Sequence, residues 1–316
     1  MVATRNSPPQ AGTALDPAAA ALTPAPPSPL HAWVLAARPH TLGVTMAPVL
    51  AACVLAWQEQ GRWHAGIAPL TLLAAMLIQI GTNLLNDVGD FERGADGSDR
   101  LGPQRATAMG WLSARQVRRA GLGALATAFL LGIVLAFAGG WPIVVLGLGA
   151  LLCGWAYTAG PWPIAYSAFG EVFVWVFFGL AAVLGTYFLQ AGTLSSAAWL
   201  MGHMMGAFAS AVMLVNNTRD AATDARVGKR TLAVRLGLGG SRALYATCLA
   251  LPFLLLPWVG VRWHWLPLLA LPLAATLVWR FVRQEPGRGH NLILARTAQL
   301  QLLFAVLWSL GQVLAS

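Results

Sequence analysis

The stretch GIAPLTLLAAMLIQIGTNLLNDVGD, residues 66–90, is an apolar run that ends in asparagine and aspartate side chains. Its apolar part, residues 66–88, is long enough to cross about 30 Å of hydrocarbon as a helix. Because ionisable groups are expensive inside a bilayer, acids at one end of such a run mark an interface or a functional site. The stretch therefore predicts a transmembrane helix whose end carries chemistry.

The remainder of the 316-residue chain is similarly apolar. Hydrophobic residues make up 57% of it and charged residues 10%, with a mean hydropathy of +0.64, whereas soluble domains are roughly half apolar and a quarter charged. Eight further spans are predicted, at residues 41–57, 116–138, 141–157, 168–188, 195–219, 241–258, 264–282 and 293–314. We expect an all-α, polytopic membrane protein in which residues 31–316 form one nine-helix transmembrane bundle.

The N-terminal segment and the charge distribution give the expected placement of the chain. Residues 1–30 are rich in alanine and proline and lack the basic and apolar regions of a signal peptide, so we expect a disordered tail. If the N-terminus is cytoplasmic, all of the 20 basic residues except Arg62 and Arg262 lie on the cytoplasmic side. The net charge of +9 therefore reports topology and not nucleic-acid binding. We expect a multi-pass protein of the cell inner (plasma) membrane with cytoplasmic active-site loops.

A second polar cluster, NNTRDAATD at residues 216–224, follows the sixth predicted span on the same side of the membrane as the first. At 100° per residue, one helical face carries Asn83, Asn86, Asp87 and Asp90, and another carries Asn217, Asp220 and Asp224. Two carboxylates about 6 Å apart repel by roughly 3 kcal/mol at an effective dielectric of 20, so such stripes require a compensating cation. Oxygen ligands favour Mg²⁺ over zinc or copper.

Basic residues follow both clusters in the same loops: Arg93, Arg100 and Arg105 after the first, and Arg226, Lys229 and Arg230 after the second. Arginine grips phosphate oxygens in bidentate fashion while Mg²⁺ neutralises the remaining charge. The two clusters therefore predict a metal–diphosphate clamp. Glu171 lies within the apolar start of the fifth span, and an intramembrane acid is a functional residue by default.

Five motifs in this order resemble the UbiA-type superfamily of intramembrane prenyltransferases, and more closely its 1,4-dihydroxy-2-naphthoate polyprenyltransferases. The motifs are ARPHTL (37–42), NLLNDVGDFERGADGSDRLGPQRA (83–106), YTAGPWP (157–163), GE (170–171) and NNTRDAATDARVGKRTLAVRLG (216–237). The resemblance implies a nine-helix bundle around a central cavity that is open to lipid and capped by the two Asp-rich motifs. Gly94 stands where the superfamily commonly has a further aspartate, and Asp96 lies nearby.

The resemblance also implies roles for individual residues. The expected Mg²⁺ ligands are Asn86, Asp87, Asp90, Asp96, Asp220 and Asp224. The expected diphosphate-binding residues are Arg38, Asn86, Arg100, Arg105, Lys229 and Arg230. Tyr157 is expected beside the allylic cation, where its π face stabilises positive charge, and Glu171 is expected to bind or deprotonate the aromatic acceptor. With Asp87, Asp90, Asp220 and Asp224, these two complete the expected catalytic set.

The expected reaction is Mg²⁺-dependent transfer of a polyprenyl group from a polyprenyl diphosphate to an aromatic acceptor. For 1,4-dihydroxy-2-naphthoate, prenylation is followed by loss of CO₂ to give demethylmenaquinone, with the tail housed in the apolar interior beside membrane lipid. Two alternatives stay open. The acceptor could be another ring, such as 4-hydroxybenzoate or one like homogentisate, or the acids could serve a secondary transporter, although transporters place such sites near the bilayer midplane.

Overall fold

The computed structural model describes residues 27–61, 63–94, 100–157, 163–259 and 265–315. These residues form helices and no strand. The helices are α1 (Pro29–Ala37), α2 (Pro39–Gln60), α3 (Ile67–Glu92), α4 (Ala114–Gly139), α5 (Trp141–Ala156), α6 (Gly170–Ala191), α7 (Ser196–Arg226), α8 (Leu232–Leu255), α9 (Leu271–Arg283) and α10 (His290–Ala315). Short 3₁₀ turns, Leu256–Trp258 and Leu266–Ala270, extend α8 and precede α9.

Each of the nine predicted spans coincides with an apolar helix of the described chain. Eight helical segments have at least 18 residues and are apolar enough to cross a membrane, and α5 is a shorter apolar helix of 16 residues. Gly140, with a φ of 67°, permits the tight turn between α4 and α5. The prediction of an all-α, polytopic membrane protein is confirmed.

The largest departures from the predicted boundaries are at three places. Helix α1 begins at Pro29, inside the stretch predicted as a tail, with the Ser28 hydroxyl accepting from the His31 backbone N–H as its N-terminal cap. Helix α7 continues to Arg226 and α8 starts at Leu232, because a helix satisfies its backbone hydrogen bonds internally and does not need to stop where hydropathy falls. The prediction of disorder for residues 1–26 lies outside the described residues.

Helix α7 is the centre of the bundle. In its most apolar 18-residue window, 78% of residues are buried, whereas the corresponding value for α4 is 22%. It packs against α2, α6, α8 and α10, while α3 and α4 form a second, closely packed pair. The second polar cluster therefore lies on the most enclosed helix of the molecule.

Helix α6 contains a π-helical turn, Val176–Ala181, where it crosses α7. A Cβ added at Gly179 would lie 2.5 Å from the Gly206 Cα on α7, so the two backbones touch. Close approach of this kind is the usual role of glycine at packed membrane helices. It holds α6, with Glu171 near its start, directly against the centre of the bundle.

Candidate functional site

A cavity of about 650 Å³ opens between α2, α3, α4, α5, α6 and α7. Most of its wall is aliphatic or aromatic, and its polar groups are concentrated toward the ends of α3 and α7. The charged or amide side chains on this wall are Arg38, Gln79, Asn83, Asn86, Asp90, Arg100, Arg105, Asn216, Asn217, Asp220, Asp224 and Lys229. The two polar clusters, which begin 133 residues apart, thus face one cavity.

Two arginines converge on the first cluster. The Asn86 Oδ1 accepts from Arg38 Nη2 and from Arg105 Nη2, each at 2.7 Å. Arg105 also forms a buried ion pair with Asp90 Oδ2 at 3.1 Å. Arg38, between α1 and α2, has a φ of 57°, a left-handed conformation that costs a non-glycine residue about 1–2 kcal/mol. This strained turn places the Arg38 guanidinium on the cavity wall.

Lys229 joins the two clusters. Its Nζ lies 3.4 Å from Asp90 Oδ1 and 3.4 Å from Asp224 Oδ1, so the two carboxylates face each other within twice that distance. Burial lowers the pKa of Lys229, but the carboxylates of Asp90 and Asp224 raise it more, and the pKa lies above its ordinary value. The residue is therefore a fixed positive charge between two acids.

Tyr166 is a residue that sequence reasoning missed. The Lys229 Nζ lies 4.7 Å from the centre of its ring, and its hydroxyl donates to Asp90 Oδ1 at 3.5 Å. Burial, followed by the Asp90 carboxylate, raises the pKa of this hydroxyl. The sequence signal for this residue was weak. Tyr166 lies in the loop before α6, and its place in the site becomes apparent only when that loop folds back onto Lys229.

Arg219 is a second residue that sequence reasoning missed. It is buried, and its guanidinium donates to both carboxylate oxygens of Asp220, at 2.8 and 2.5 Å. It also donates to Asn216 Oδ1 at 2.8 Å and to Asn291 Oδ1 of α10 at 2.6 Å. Sequence analysis counted this arginine only among the charges that report topology. An arginine at the end of a predicted span and next to a predicted metal ligand was nevertheless a usable signal.

Asn291 extends the Arg219 network to the loop that follows α3. Its amide nitrogen donates to the Leu101 backbone oxygen at 3.0 Å. A Cβ added at Gly102 would lie 2.7 Å from Arg219 Nη2, so this loop packs directly on the guanidinium. The network thereby ties the second cluster, α10 and the loop that carries Arg100 together.

Some of the predicted site residues do not line the cavity. Glu171 is buried behind the cavity wall and accepts from Asn217 Nδ2 at 2.8 Å. The Arg230 side chain does not line the cavity, although its backbone N–H donates to the Tyr166 oxygen at 2.9 Å. Tyr157 does line it, and its hydroxyl donates to Met213 Sδ at 3.5 Å. Asp96 lies outside the described residues.

Asp87 is the residue whose surroundings most require a cation. It is 1% exposed, it lies just behind the wall, and neither carboxylate oxygen has a hydrogen-bond partner of ordinary geometry among the described residues. Thr107 and the charges of Arg38 and Arg100 stabilise this carboxylate in part, and burial of a carboxylate without a full set of partners is unfavourable. The surroundings of Asp87 therefore fit a nearby positive ion.

A metal would not be held here by protein side chains alone. In the described part of the chain, no three acidic, histidine or cysteine side chains lie close enough together to enclose an ion. Mg²⁺ usually keeps one or two carboxylates and takes its other ligands from water and substrate phosphates. The oxygens of Asp90, Asp220 and Asp224 fit such a shared site, with a phosphate supplying the rest. Asn86 Oδ1 already accepts from two arginines and would have to release one of them to bind the ion.

Comparison with known proteins relates this site to one family. A profile of the UbiA prenyltransferase family matches residues 45–306. The chain is 37% identical to the 1,4-dihydroxy-2-naphthoate octaprenyltransferase of Mycobacterium tuberculosis, over 87% of this chain and 94% of that protein. It is 35% identical to the protein of the same name from Escherichia coli, over 89% of this chain and 94% of that protein.

A solved structure shares the fold. A UbiA homolog from Archaeoglobus fulgidus, bound to DMAPP and Mg²⁺, matches with a TM-score of 0.63 and 17% identity, covering 90% of this chain and 99% of that one. At this identity the likeness establishes the architecture alone.

Proposed function

The chain belongs to the UbiA prenyltransferase family, and from this premise we propose that it transfers a polyprenyl group from its diphosphate to 1,4-dihydroxy-2-naphthoate, with Mg²⁺ as the required cation. It is a multi-pass membrane enzyme that prenylates an aromatic acceptor. The naphthoate, the metal and the residue roles are the parts that we propose.

One observation carries the proposal: a single cavity joins a cluster of acids and bases to a long apolar wall. A polyprenyl diphosphate has the same division into a highly charged head and a hydrocarbon tail. Asp90 on α3 and Thr71 on α3 both line the cavity, and 19 residues of helix span about 28 Å. The tail can therefore run most of the way across the bilayer.

The leaving group is the first chemical problem. Bound Mg²⁺ would polarise the diphosphate and neutralise its charge, and Asp90, Asp220, Asp224, Asn86 and the adjacent Asp87 would hold it. Arg38, Arg105 and Lys229 line the same end of the cavity, so they can stabilise the negative charge that develops as the C–O bond breaks. Arg100 is also on this wall.

The aromatic ring of the acceptor then forms a C–C bond to the allylic cation. The ring carbon that forms this bond is the one that bears the carboxylate. Loss of that carboxyl group as CO₂ returns its electron pair to the ring and restores aromaticity. The products are pyrophosphate, CO₂ and the prenylated diol, the reduced form of demethylmenaquinone. The π face of Tyr157, on the wall next to the charged end, can stabilise the cation.

We also propose that the charged end faces the cytoplasm of a plasma (inner) membrane. All basic residues except Arg62 and Arg262 fall on that side of the predicted topology. Fusion of a reporter active only in the cytoplasm to the N-terminus and to the C-terminus tests this, since nine crossings put the two ends on opposite sides.

The activity test uses purified protein in lipid nanodiscs, a radiolabelled polyprenyl diphosphate, and three acceptors in parallel: 1,4-dihydroxy-2-naphthoate, 4-hydroxybenzoate and homogentisate. We expect product with the naphthoate, no product after EDTA, and loss of activity in Asp90→Ala and Asp220→Ala. Mass spectrometry identifies the product. Full activity in both variants, or a preference for a benzoate, would contradict the clamp or the acceptor respectively.

A further inference from the structure

Two asparagine amides line the cavity deeper than the acids. Asn83 precedes Asp90 by seven residues on α3, and Asn217 precedes Asp224 by seven residues on α7. At 1.5 Å per residue, each amide lies about 10 Å along its helix from the acid. Both side chains are on the cavity wall. The two facing helices thus repeat one arrangement, an amide below a carboxylate.

The contacts of both amides show which atom of each acts as the donor. Asn83 Nδ2 donates to the Ala37 backbone oxygen at 3.1 Å, and a backbone oxygen can only accept. Asn217 Nδ2 donates to the Glu171 carboxylate at 2.8 Å. Among the described residues, none donates a hydrogen bond to the Oδ1 of Asn83 or of Asn217. Each residue therefore keeps an amide oxygen available as an acceptor.

Among the described residues, the Glu171 side chain is hydrogen-bonded to the cavity wall through Asn217. Its side chain is 4% exposed and does not reach the cavity wall. Its backbone oxygen accepts from the Ser210 hydroxyl at 2.8 Å, which ties this turn of α6 to α7. The carboxylate is thus placed to orient Asn217 but not to contact a substrate.

We propose that Asn83 and Asn217 accept hydrogen bonds from the phenolic hydroxyls of the aromatic acceptor, and that Glu171 is a positioning residue that holds the Asn217 amide in that orientation. This inference rests on the proposed function. The allylic carbon is joined to the diphosphate at the charged end, so the attacking ring must lie immediately deeper, at the level of these amides. A 1,4-diol offers one donor on each side of its ring.

The alternative is that these two amides are ligands of the proposed Mg²⁺. That role fits the geometry less well than hydrogen bonding to the acceptor. Mg²⁺–oxygen distances are about 2.1 Å, whereas the amides lie about 10 Å along their helices from Asp90 and Asp224. An ion held between those two acids cannot also contact the deeper amides, whereas an ion bound to Asp220 would lie only about 5 Å along the helix from Asn217. The Mg²⁺ requirement of the variants distinguishes the two roles.

The first test measures KM for the naphthoate, KM for the polyprenyl diphosphate and half-saturation by Mg²⁺ in Asn83→Leu and Asn217→Leu. Leucine keeps the branched shape and removes the oxygen. We expect the acceptor KM to rise about tenfold in each variant, since a bound hydroxyl loses its partner, with the other two values within about twofold. Thr127→Val is the matched control: its hydroxyl bonds within α4, away from the cavity, and all values should stay unchanged.

Glu171 is tested with two substitutions. Glu171→Gln retains an oxygen that accepts from Asn217, so its acceptor KM should stay within about twofold of wild type. Glu171→Leu removes that oxygen and should reproduce the Asn217→Leu increase. Loss of activity in Glu171→Gln with normal Asn217→Leu kinetics would show that Glu171 itself takes part in proton transfer, and would overturn the positioning role.

An acceptor analogue keeps the inference separate from the function on which it rests. With 1-hydroxy-2-naphthoate, which lacks one hydroxyl, one of the two leucine variants should match wild type in affinity for the analogue. If wild-type protein binds no naphthoate, the proposed function fails. If wild type is active but both variants retain the acceptor KM, or show a raised Mg²⁺ requirement instead, only the inference fails. Equal donor KM values confirm that the variants are folded.

Discussion

Replacement of Lys229 by methionine tests the core of the proposed clamp. The Lys229 Nζ lies 3.4 Å from oxygens of both Asp90 and Asp224, so those oxygens are at most twice that distance apart. At an effective dielectric of 20, two carboxylates at this limit repel by about 2.5 kcal/mol. Methionine preserves the apolar stem but removes both attractions of the buried ammonium and leaves this repulsion unopposed. Removing one partner of a buried ion pair typically costs about 3–5 kcal/mol, and the metal-free variant should be less stable by about this amount.

The stability readout is the melting temperature in detergent with EDTA and with Mg²⁺. A loss of about 3–5 kcal/mol corresponds to a decrease in Tm of about 6–20 °C. Added Mg²⁺ should raise the Tm of the methionine variant more than that of wild type, because the ion supplies the positive charge that the substitution removed. Lys229→Arg keeps the charge and should melt within a few degrees of wild type.

The same variant has a predicted kinetic defect. Loss of one positive group at a developing anion typically lowers kcat by about 10²–10³, and Lys229 is buried with its charge retained. Prenyl transfer is measured at saturating Mg²⁺ so that reduced metal binding does not confuse the result. A methionine variant that melts like wild type in EDTA and keeps kcat within twofold would refute the role of Lys229.

Three further substitutions test other parts of the structure. Arg219→Gln leaves the half-buried Asp220 carboxylate without its buried bidentate partner and should lower kcat at least tenfold and destabilise the protein, whereas Arg219→Lys should recover part of both losses. Tyr157→Phe keeps the π face and should stay within about threefold of wild-type kcat, while Tyr157→Leu should lose about tenfold or more. Gly179→Val forces a Cβ to within 2.5 Å of the Gly206 backbone, so we expect a lower Tm and yield, measured by thermal melting, with unchanged KM in the protein that folds.

Much of the fold followed from local properties of the sequence. Apolar runs of sufficient length mark spans whatever they pack against, so all nine coincide with helices. The boundaries were less accurate where no local signal existed. Hydropathy falls at residue 219, yet α7 continues to Arg226, because its last two turns are supported by internal hydrogen bonds and by neighbouring groups.

The candidate site was predictable in composition but not in contacts. Helical periodicity placed Asn86 and Asp90 on one face, and both line the cavity. It could not show that Asp87, at the edge of that face, is buried just behind the wall. A few tens of degrees of helix rotation decide between wall and interior, and that rotation is set by packing against neighbouring helices. The metal and substrate roles of these residues stay predictions.

By itself, the sequence determined a membrane-embedded helical bundle and two acid-bearing helix ends, because hydropathy and period depend on neighbours along the chain. Only the tertiary structure decided which groups meet. Lys229 reaches Asp90 across 139 residues, Arg219 takes Asp220 as its partner, and Glu171 lies behind Asn217. Such contacts arise when whole helices pack, so no local pattern encodes them.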